Sequence, residues 1–203
     1  MFVVTMDQRG SRQRGDLVPA LLDLVGSVPA ELGFERSVGD EVQAVFKDAN
    51  AVVDACLRAL RDRNWYVGIG VGDVDLPLPA SPREASGPAF VAARRAVERA
   101  KKSGERVPLA AEGSPAAADA EAVLGLLGAL VSHRTPAEWR VLDRLSPGVR
   151  GRQAVVAAEL GITPQAVSKA VLRSGWQEEW AARPAAAVLL ERADRQAGRG
   201  GEN

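Results

Sequence analysis

Hydrophobic and polar positions divide the chain into a front part with strand and helix patterns and a rear part with helical patterns only. The front part reads β-α-β-β-α-β-α-β, with strand runs at 2–7, 34–38, 41–46, 65–72 and 106–113 and helical runs at 17–28, 48–63 and 89–104. This order predicts an α+β fold in which one mostly antiparallel sheet is covered by helices, as in the ferredoxin-like split βαβ motif.

Glycine and proline refine this picture. The strand WYVGIGVG (65–72) is rich in glycine, which predicts that another backbone approaches it closely. Residues 73–88 contain four prolines, which predicts a surface loop, and Pro108 favours an edge position for the last strand.

From residue 115 onward no strand pattern remains. We therefore predict an α+β domain at 1–113, a connecting helix at 114–133, an all-α helix-turn-helix domain at 134–197 and a disordered tail at 198–203.

The segment ELGITPQAVSKAVLRSGW (159–176) carries the clearest motif. Gly161 suits a tight turn between two helices because glycine tolerates positive φ, and Thr163 with Pro164 predicts a capped start for the second helix. A small core is predicted from apolar residues on both sides of the turn: Val156, Ala157, Leu160, Ile162, Val167 and Val171.

Gln165, Ser168, Lys169 and Arg173 of the second helix should then face outward and read DNA. Amide, hydroxyl and cationic groups suit base edges and phosphates in the major groove, and two further arginines precede the first helix. The predicted DNA-binding residues are Arg150, Arg152, Thr163, Pro164, Gln165, Ser168, Lys169 and Arg173.

Charge supports this interpretation. Net charge is zero overall, but residues 134–176 carry seven basic and three acidic side chains, whereas residues 1–133 carry 15 and 18. The stretch RQAVVAAELGITPQAVSKAVLRSGW (152–176) resembles the helix-turn-helix of bacterial transcription regulators and sigma-factor-like readers. The alternative is a plain helical hairpin with a solvated polar face.

Two aspartates mark the front part. Asp7 ends the first strand and Asp40 lies at the hairpin turn, so a central hairpin would bring both carboxylates to one end of the sheet. Two carboxylates held close together repel each other, which favours binding of Mg²⁺ together with nucleotide phosphates. The alternative is that Asp7 caps a loop and Asp40 merely occupies a turn.

The strings VVTMDQRGSR, RSVGDEVQAVF and VGIGVGDV resemble the catalytic domain of class III nucleotide cyclases, which implies a palm-like sheet with Asp7 and Asp40 as metal ligands. Two positions depart from that family. Residues 8–12 lack its first motif, and Phe90 or Val91 stands where its transition-state asparagine belongs, although Arg94 is kept. Loss of such a donor can cost a factor of about 10² to 10³ in rate, so we expect no enzymatic turnover.

The basic loop QRGSRQRG (8–15) has two interpretations. It could cradle nucleotide phosphates through Arg9, Gly10, Ser11 and Arg12, with Arg94 nearby, or it could be a solvated loop. A cyclase-like front joined to a helix-turn-helix also resembles the SatD-like bacterial proteins.

These expectations combine into one hypothesis: a cytoplasmic transcription regulator that binds double-stranded DNA as a homodimer, because one helix-turn-helix buries too little surface alone. The front domain would be a sensor or dimerisation platform, with a nucleotide as its ligand. The dimer contact is predicted on that domain or on the C-terminal helix near Val188, Leu189 and Leu190. The alternative hypothesis is a metal-dependent nucleotidyl cyclase or nucleotide-binding protein.

No run of 18 apolar residues and no leader pattern is present, which favours the cytoplasm.

Overall fold

The computed structural model describes residues 1–104, 107–149 and 151–200, without the side chains of residues 12, 199 and 200. The strands are β1 (Phe2–Gln8), β2 (Leu32–Arg36), β3 (Glu41–Phe46), β4 (Trp65–Val71) and β5 (Leu109–Glu112). The helices are α1 (Ser11–Arg14), α2 (Val18–Val25), α3 (Ala49–Asp62), α4 (Pro88–Lys102), α5 (Ala117–His133), α6 (Pro136–Leu142), α7 (Gln153–Leu160), α8 (Pro164–Arg173) and α9 (Trp176–Gly200).

The strands form one sheet in the order β2-β3-β1-β4-β5. All neighbouring pairs are antiparallel except β4 and β5, which are parallel. The mixed α+β class, the order of the front elements and the edge position of β5 are therefore confirmed. The short helix α1 was not predicted, because its four residues are all polar.

One face of the sheet carries the main core. Alternate residues of β1 (Phe2, Val4 and Met6) point into it and pack with apolar residues of α2, α3, α5 and α9. Cys56 of α3 is fully buried in this core.

The other face is covered by α4, which crosses the glycines of β4. A Cβ atom at Gly70 would lie 1.9 Å from the carbonyl oxygen of Ala89, and one at Gly68 would lie 2.4 Å from the backbone nitrogen of Val97. The predicted close approach is thus confirmed: only glycine lets the helix backbone come this near to the strand.

The rear helices divide between two cores. Helices α5 and α9 pack on each other and on α3, and Leu190 of α9 is fully buried in the main core. Leu190 is therefore not free to form the predicted dimer contact, whereas Leu189 is partly buried against the same core and Val188 is 57% exposed. Helix α9 also continues to Gly200, past the predicted end at 197, while residues 201–203 lie outside the described part.

Helices α6, α7 and α8 share a separate small core formed by Val141, Val156, Ala157 and Val167. The chain enters this three-helix unit after Arg134 and leaves it at Ser174, where Arg134 Nε donates to the Ser174 carbonyl at 2.9 Å. One side chain therefore connects both attachment points of this three-helix unit.

Within the described ranges, no single helix is both long and apolar enough to cross a membrane. The helical segments 153–160 and 164–198 are long and apolar enough only when they are taken together, and the chain bends by 109° between them.

Candidate functional site

Local sequence determines how α7 turns into α8. Gly161 adopts a left-handed conformation (φ 64°) at the end of α7, and its N–H donates to the carbonyls of Ala157 and Ala158. The hydroxyl of Thr163 accepts from the N–H of Ala166 at 3.2 Å, and Pro164 occupies the first turn of α8. Three residues thus end one helix and start the next, each in the role that its chemistry predicts.

The inward side of this unit is apolar, with one exception to the prediction. Val156, Ala157, Val167 and Val171 are buried as expected, and Leu160 is partly buried. Ile162 is 40% exposed, so its predicted core position is wrong. Its N–H closes the turn by donating to the carbonyl of Ala157 at 3.0 Å, and its side chain is not part of the small core.

The outward side of α8 is a continuous row of exposed residues, which we call the α8 face: Gln165, Ser168, Lys169, Leu172 and Arg173. Their spacing of three and four residues places them on one side of the helix. Leu172 was assigned neither to the core nor to the DNA-binding residues in the sequence analysis, and it is 76% exposed.

Two further cations of the three-helix unit are exposed outside the α8 face. Arg152 precedes α7, and Arg144 has Glu159 3.8 Å away. The predicted contact Arg150 lies outside the described residues.

The predicted acidic site lies at the end of the sheet where β1 ends and β3 begins, beside α4. Asp7 is paired in register with Glu41 of β3 and Tyr66 of β4. Its carboxylate accepts from Lys101 of α4 at 2.8 Å. Burial raises the pKa of Asp7 above its ordinary 3.8, an effect that Lys101 opposes and the negative charges of Asp40 and Glu41 strengthen.

The neighbouring carboxylate, Glu41, is also paired. Its side chain is almost fully buried, receives Arg94 at 2.6 Å and accepts from the hydroxyl of Ser37 at 2.7 Å. Asp40 precedes it in the turn, half-buried and with no hydrogen bond or ion pair to any described residue. The fold thus brings Asp7, Asp40 and Arg94 to the same end of the sheet.

The basic loop after β1 is held by a buried glutamine. The Gln8 side chain donates to the carbonyl of Gly15 at 2.6 Å and accepts from the N–H of Leu17 at 2.9 Å. Arg9 lies over the Tyr66 ring at 5.2 Å, Gly10 is left-handed (φ 66°) and Ser11 begins α1. The side chain of Arg12 lies outside the described part, so its predicted role stays a prediction.

The Asp7 carboxylate at this end of the sheet already has a cationic partner. No group of three or more His, Cys, Asp or Glu residues in the described ranges could hold a metal ion. A divalent cation at Asp7 would also have to displace the Lys101 ammonium. Lys101 and Glu41 were missed by the sequence analysis, although Lys101 lies two helical turns after Arg94 and Glu41 follows Asp40 directly.

Comparisons with protein-family models, curated proteins and solved structures find no match to this chain. The three resemblances noted in the sequence stay predictions.

Proposed function

We propose that this protein is a DNA-binding transcription regulator in which α7 and α8 act as a helix-turn-helix. The observation that carries the proposal is the α8 face: a capped helix, sealed underneath by Val167 and Val171, with its amide, hydroxyl and cationic side chains all exposed. A recognition helix needs this combination, because its outer residues must reach base edges while its inner residues keep it rigid.

Each outward side chain has a suitable DNA partner. Gln165 can bind adenine in bidentate fashion, while Lys169 and Arg173 can bind guanine edges or phosphates. Leu172 can contact thymine methyl groups, which gives this exposed apolar residue a role on the face. Arg152 would bind the sugar-phosphate backbone and add salt-dependent affinity.

The sheet-bearing part would act as sensor or platform. Helix α9 continues from the three-helix unit into the main core, and a partly buried ion pair between Arg183 and Asp54 joins it to α3. A ligand that shifted α3 would therefore change the position of α8. A nucleotide at the end of the sheet near Asp7 and Arg94 is the proposed ligand.

The alternative function is metal-dependent nucleotidyl transfer at Asp7 and Asp40. The position of both aspartates at the same end of the sheet as Arg94 supports this alternative. The ammonium of Lys101 on Asp7 and the missing asparagine at 90 or 91 weigh against it. DNA binding is therefore the function we favour.

The test is recovery of genomic DNA fragments bound by the purified protein, with and without added ATP or GTP. We expect enrichment of a small set of sequences and a change in that enrichment when a nucleotide is added. Recovery no better than that of a variant carrying Lys169→Ala and Arg173→Ala would contradict the DNA-binding proposal, and enrichment unchanged by nucleotides would contradict the sensor role.

A further inference from the structure

A cleft lies at the junction between the three-helix unit and the main core, bounded by α3, α6 and the first turns of α9. Its volume is about 280 Å³, and its apolar lining includes Leu57, Leu142 and three partly buried tryptophans, Trp139, Trp176 and Trp180. Sites for drug-sized ligands range from about 300 to about 1,000 Å³. The size of this cleft therefore suits a small ligand with one or two rings.

The three indole rings make the cleft a surface for stacking. Trp176 and Trp180 meet edge to face, with their ring centroids 6.4 Å apart. The Trp139 ring has the guanidinium of Arg61 at 3.8 Å and that of Arg134 at 4.8 Å. Indole rings pack favourably against other aromatic rings, so the cleft favours a ligand that is planar and apolar over most of its surface.

The charged lining of the cleft contains more cations than anions. It consists of Arg58, Arg61, Arg134 and Arg183 together with Asp54, Asp143 and Glu179. Each arginine pairs with one of these carboxylates at 2.5–2.9 Å, but four cations share three anions. The lining therefore keeps one positive charge in excess, which favours a ligand with a single negative charge.

Arg134 is the lining cation that has hydrogen-bond donors to spare. It is 3% exposed, and its Nε donates to the Ser174 carbonyl at 2.9 Å. Its two terminal nitrogens are buried and have no hydrogen-bond partner among the described residues, although one of them lies against the Glu179 carboxylate. Buried polar groups normally have hydrogen-bond partners, so these donors favour a ligand that brings an acceptor.

A carboxylate is the acceptor that fits both observations. It carries the one negative charge that balances the lining, and its two oxygens match the two terminal nitrogens of a guanidinium. A phosphate monoester carries close to two negative charges and would leave the cleft negative. The ligand should therefore combine one carboxylate with an aromatic ring.

We infer that this cleft binds a small aromatic monocarboxylate, with its ring against the indoles and its carboxylate beside Arg134. The inference goes beyond the proposed function, since it names a second ligand site, apart from the end of the sheet at Asp7, and does not depend on DNA. Because α3 and α6 both line the cleft, the bound ligand would contact the main core and the three-helix unit at once.

The first test is calorimetric titration of the full chain, without DNA, with three aromatic acids of increasing size: benzoate, phenylacetate and indole-3-acetate. We expect at least one of them to bind with one molecule per chain. The amide of the same acid keeps the ring without the charge, and acetate keeps the charge without the ring. Both should bind at least about tenfold more weakly than the acid.

The second test changes the charge of the cleft in both directions at the partly exposed pair Arg61–Asp143. Arg61→Gln removes the excess positive charge and should weaken binding of the acid at least about tenfold, whereas Asp143→Asn increases the excess and should strengthen binding. A pair as exposed as this one contributes little to stability, so both variants should fold, which circular dichroism checks. Arg144→Gln removes the same charge beside the cleft but outside its lining, and it should bind like the wild type.

Four results would overturn the inference: no heat of binding with any of the three acids at millimolar concentration, an amide that binds as tightly as its acid, equal losses in Arg61→Gln and Arg144→Gln, or weaker binding by Asp143→Asn. None of these measurements involves DNA. A protein that selects DNA fragments but binds no aromatic acid would contradict this inference alone. One that binds the acid but selects no DNA would contradict only the proposed function.

Discussion

The guanidinium of Arg134 lies 2.5 Å from the carboxylate of Glu179, and both side chains are almost completely buried, with 1% and 2% exposed. Arg183 holds the other oxygen of Glu179 at 2.6 Å and reaches Asp54 of α3 at 2.9 Å. The junction between the three-helix unit and the main core is thus a buried charge network.

Removing Glu179 should therefore be costly. Glu179→Ala leaves the buried Arg134 without its counter-charge, and we expect a loss of about 3–5 kcal/mol in the free energy of unfolding. The measurement is urea denaturation at neutral pH. Glu178→Ala, at the exposed neighbouring position, should change the value by no more than about 0.5 kcal/mol. If Glu179→Ala lowered the free energy of unfolding no more than Glu178→Ala does, the buried charge network would not stabilise the fold.

The crossing of α4 over β4 makes a second prediction. A methyl group at Gly70 would collide with the Ala89 carbonyl, so Gly70→Ala should lower the free energy of unfolding by about 2–3 kcal/mol. Gly33→Ala in β2 is the control, because nothing lies within 4 Å of the added Cβ atom there. If both variants unfold at the same urea concentration, the close approach of α4 is misplaced.

Asp7 predicts a pH dependence. Because its pKa is raised in the folded state, the folded protein holds this proton more tightly than the unfolded chain, and stability falls as pH rises above the ordinary value of 3.8. The free energy of unfolding of the wild type, relative to Asp7→Asn, should therefore decrease between about pH 4 and about pH 7. An increase over this range would mean that the attraction of Lys101 outweighs the cost of burial.

A further prediction concerns nucleotide cyclisation at the end of the sheet that carries Asp7 and Asp40. Incubation with ATP or GTP and Mg²⁺ or Mn²⁺ should yield no cyclic nucleotide, because Lys101 holds Asp7 and the transition-state amide is missing. The product is measured by chromatography, with an Asp40→Ala variant as control. Cyclic product that disappears in that variant would replace our proposal with the enzymatic alternative.

Much of the fold was predictable because short-range chemistry determines it. Apolar periodicity placed the front elements in order, and Gly161, Thr163 and Pro164 each have the role their backbone preferences predict. The glycines of β4 likewise predicted a close approach. Such features depend on neighbours along the chain or on the absence of a side chain.

Other features depend on contacts between distant segments, and the sequence alone could not predict them. The pairing of Glu41 with Arg94 spans 53 residues and requires the strand order to be known. The exposure of Ile162 and Leu172 depends on how α7 and α8 pack, and the apolar pattern alone does not distinguish a core position from an exposed one. The packing of α9 against α3 is of the same kind.

The central claim, that the α8 face binds DNA, is tested most directly by the salt dependence of duplex binding. The double variant Lys169→Ala/Arg173→Ala should bind more weakly than the wild type, and its plot of log affinity against log salt should be less steep by about 2. Lys47→Ala/Arg83→Ala removes the same charge from the sheet-bearing part and should leave the slope unchanged. An unchanged slope in the α8 variant, or an equal change in the control, would contradict the account.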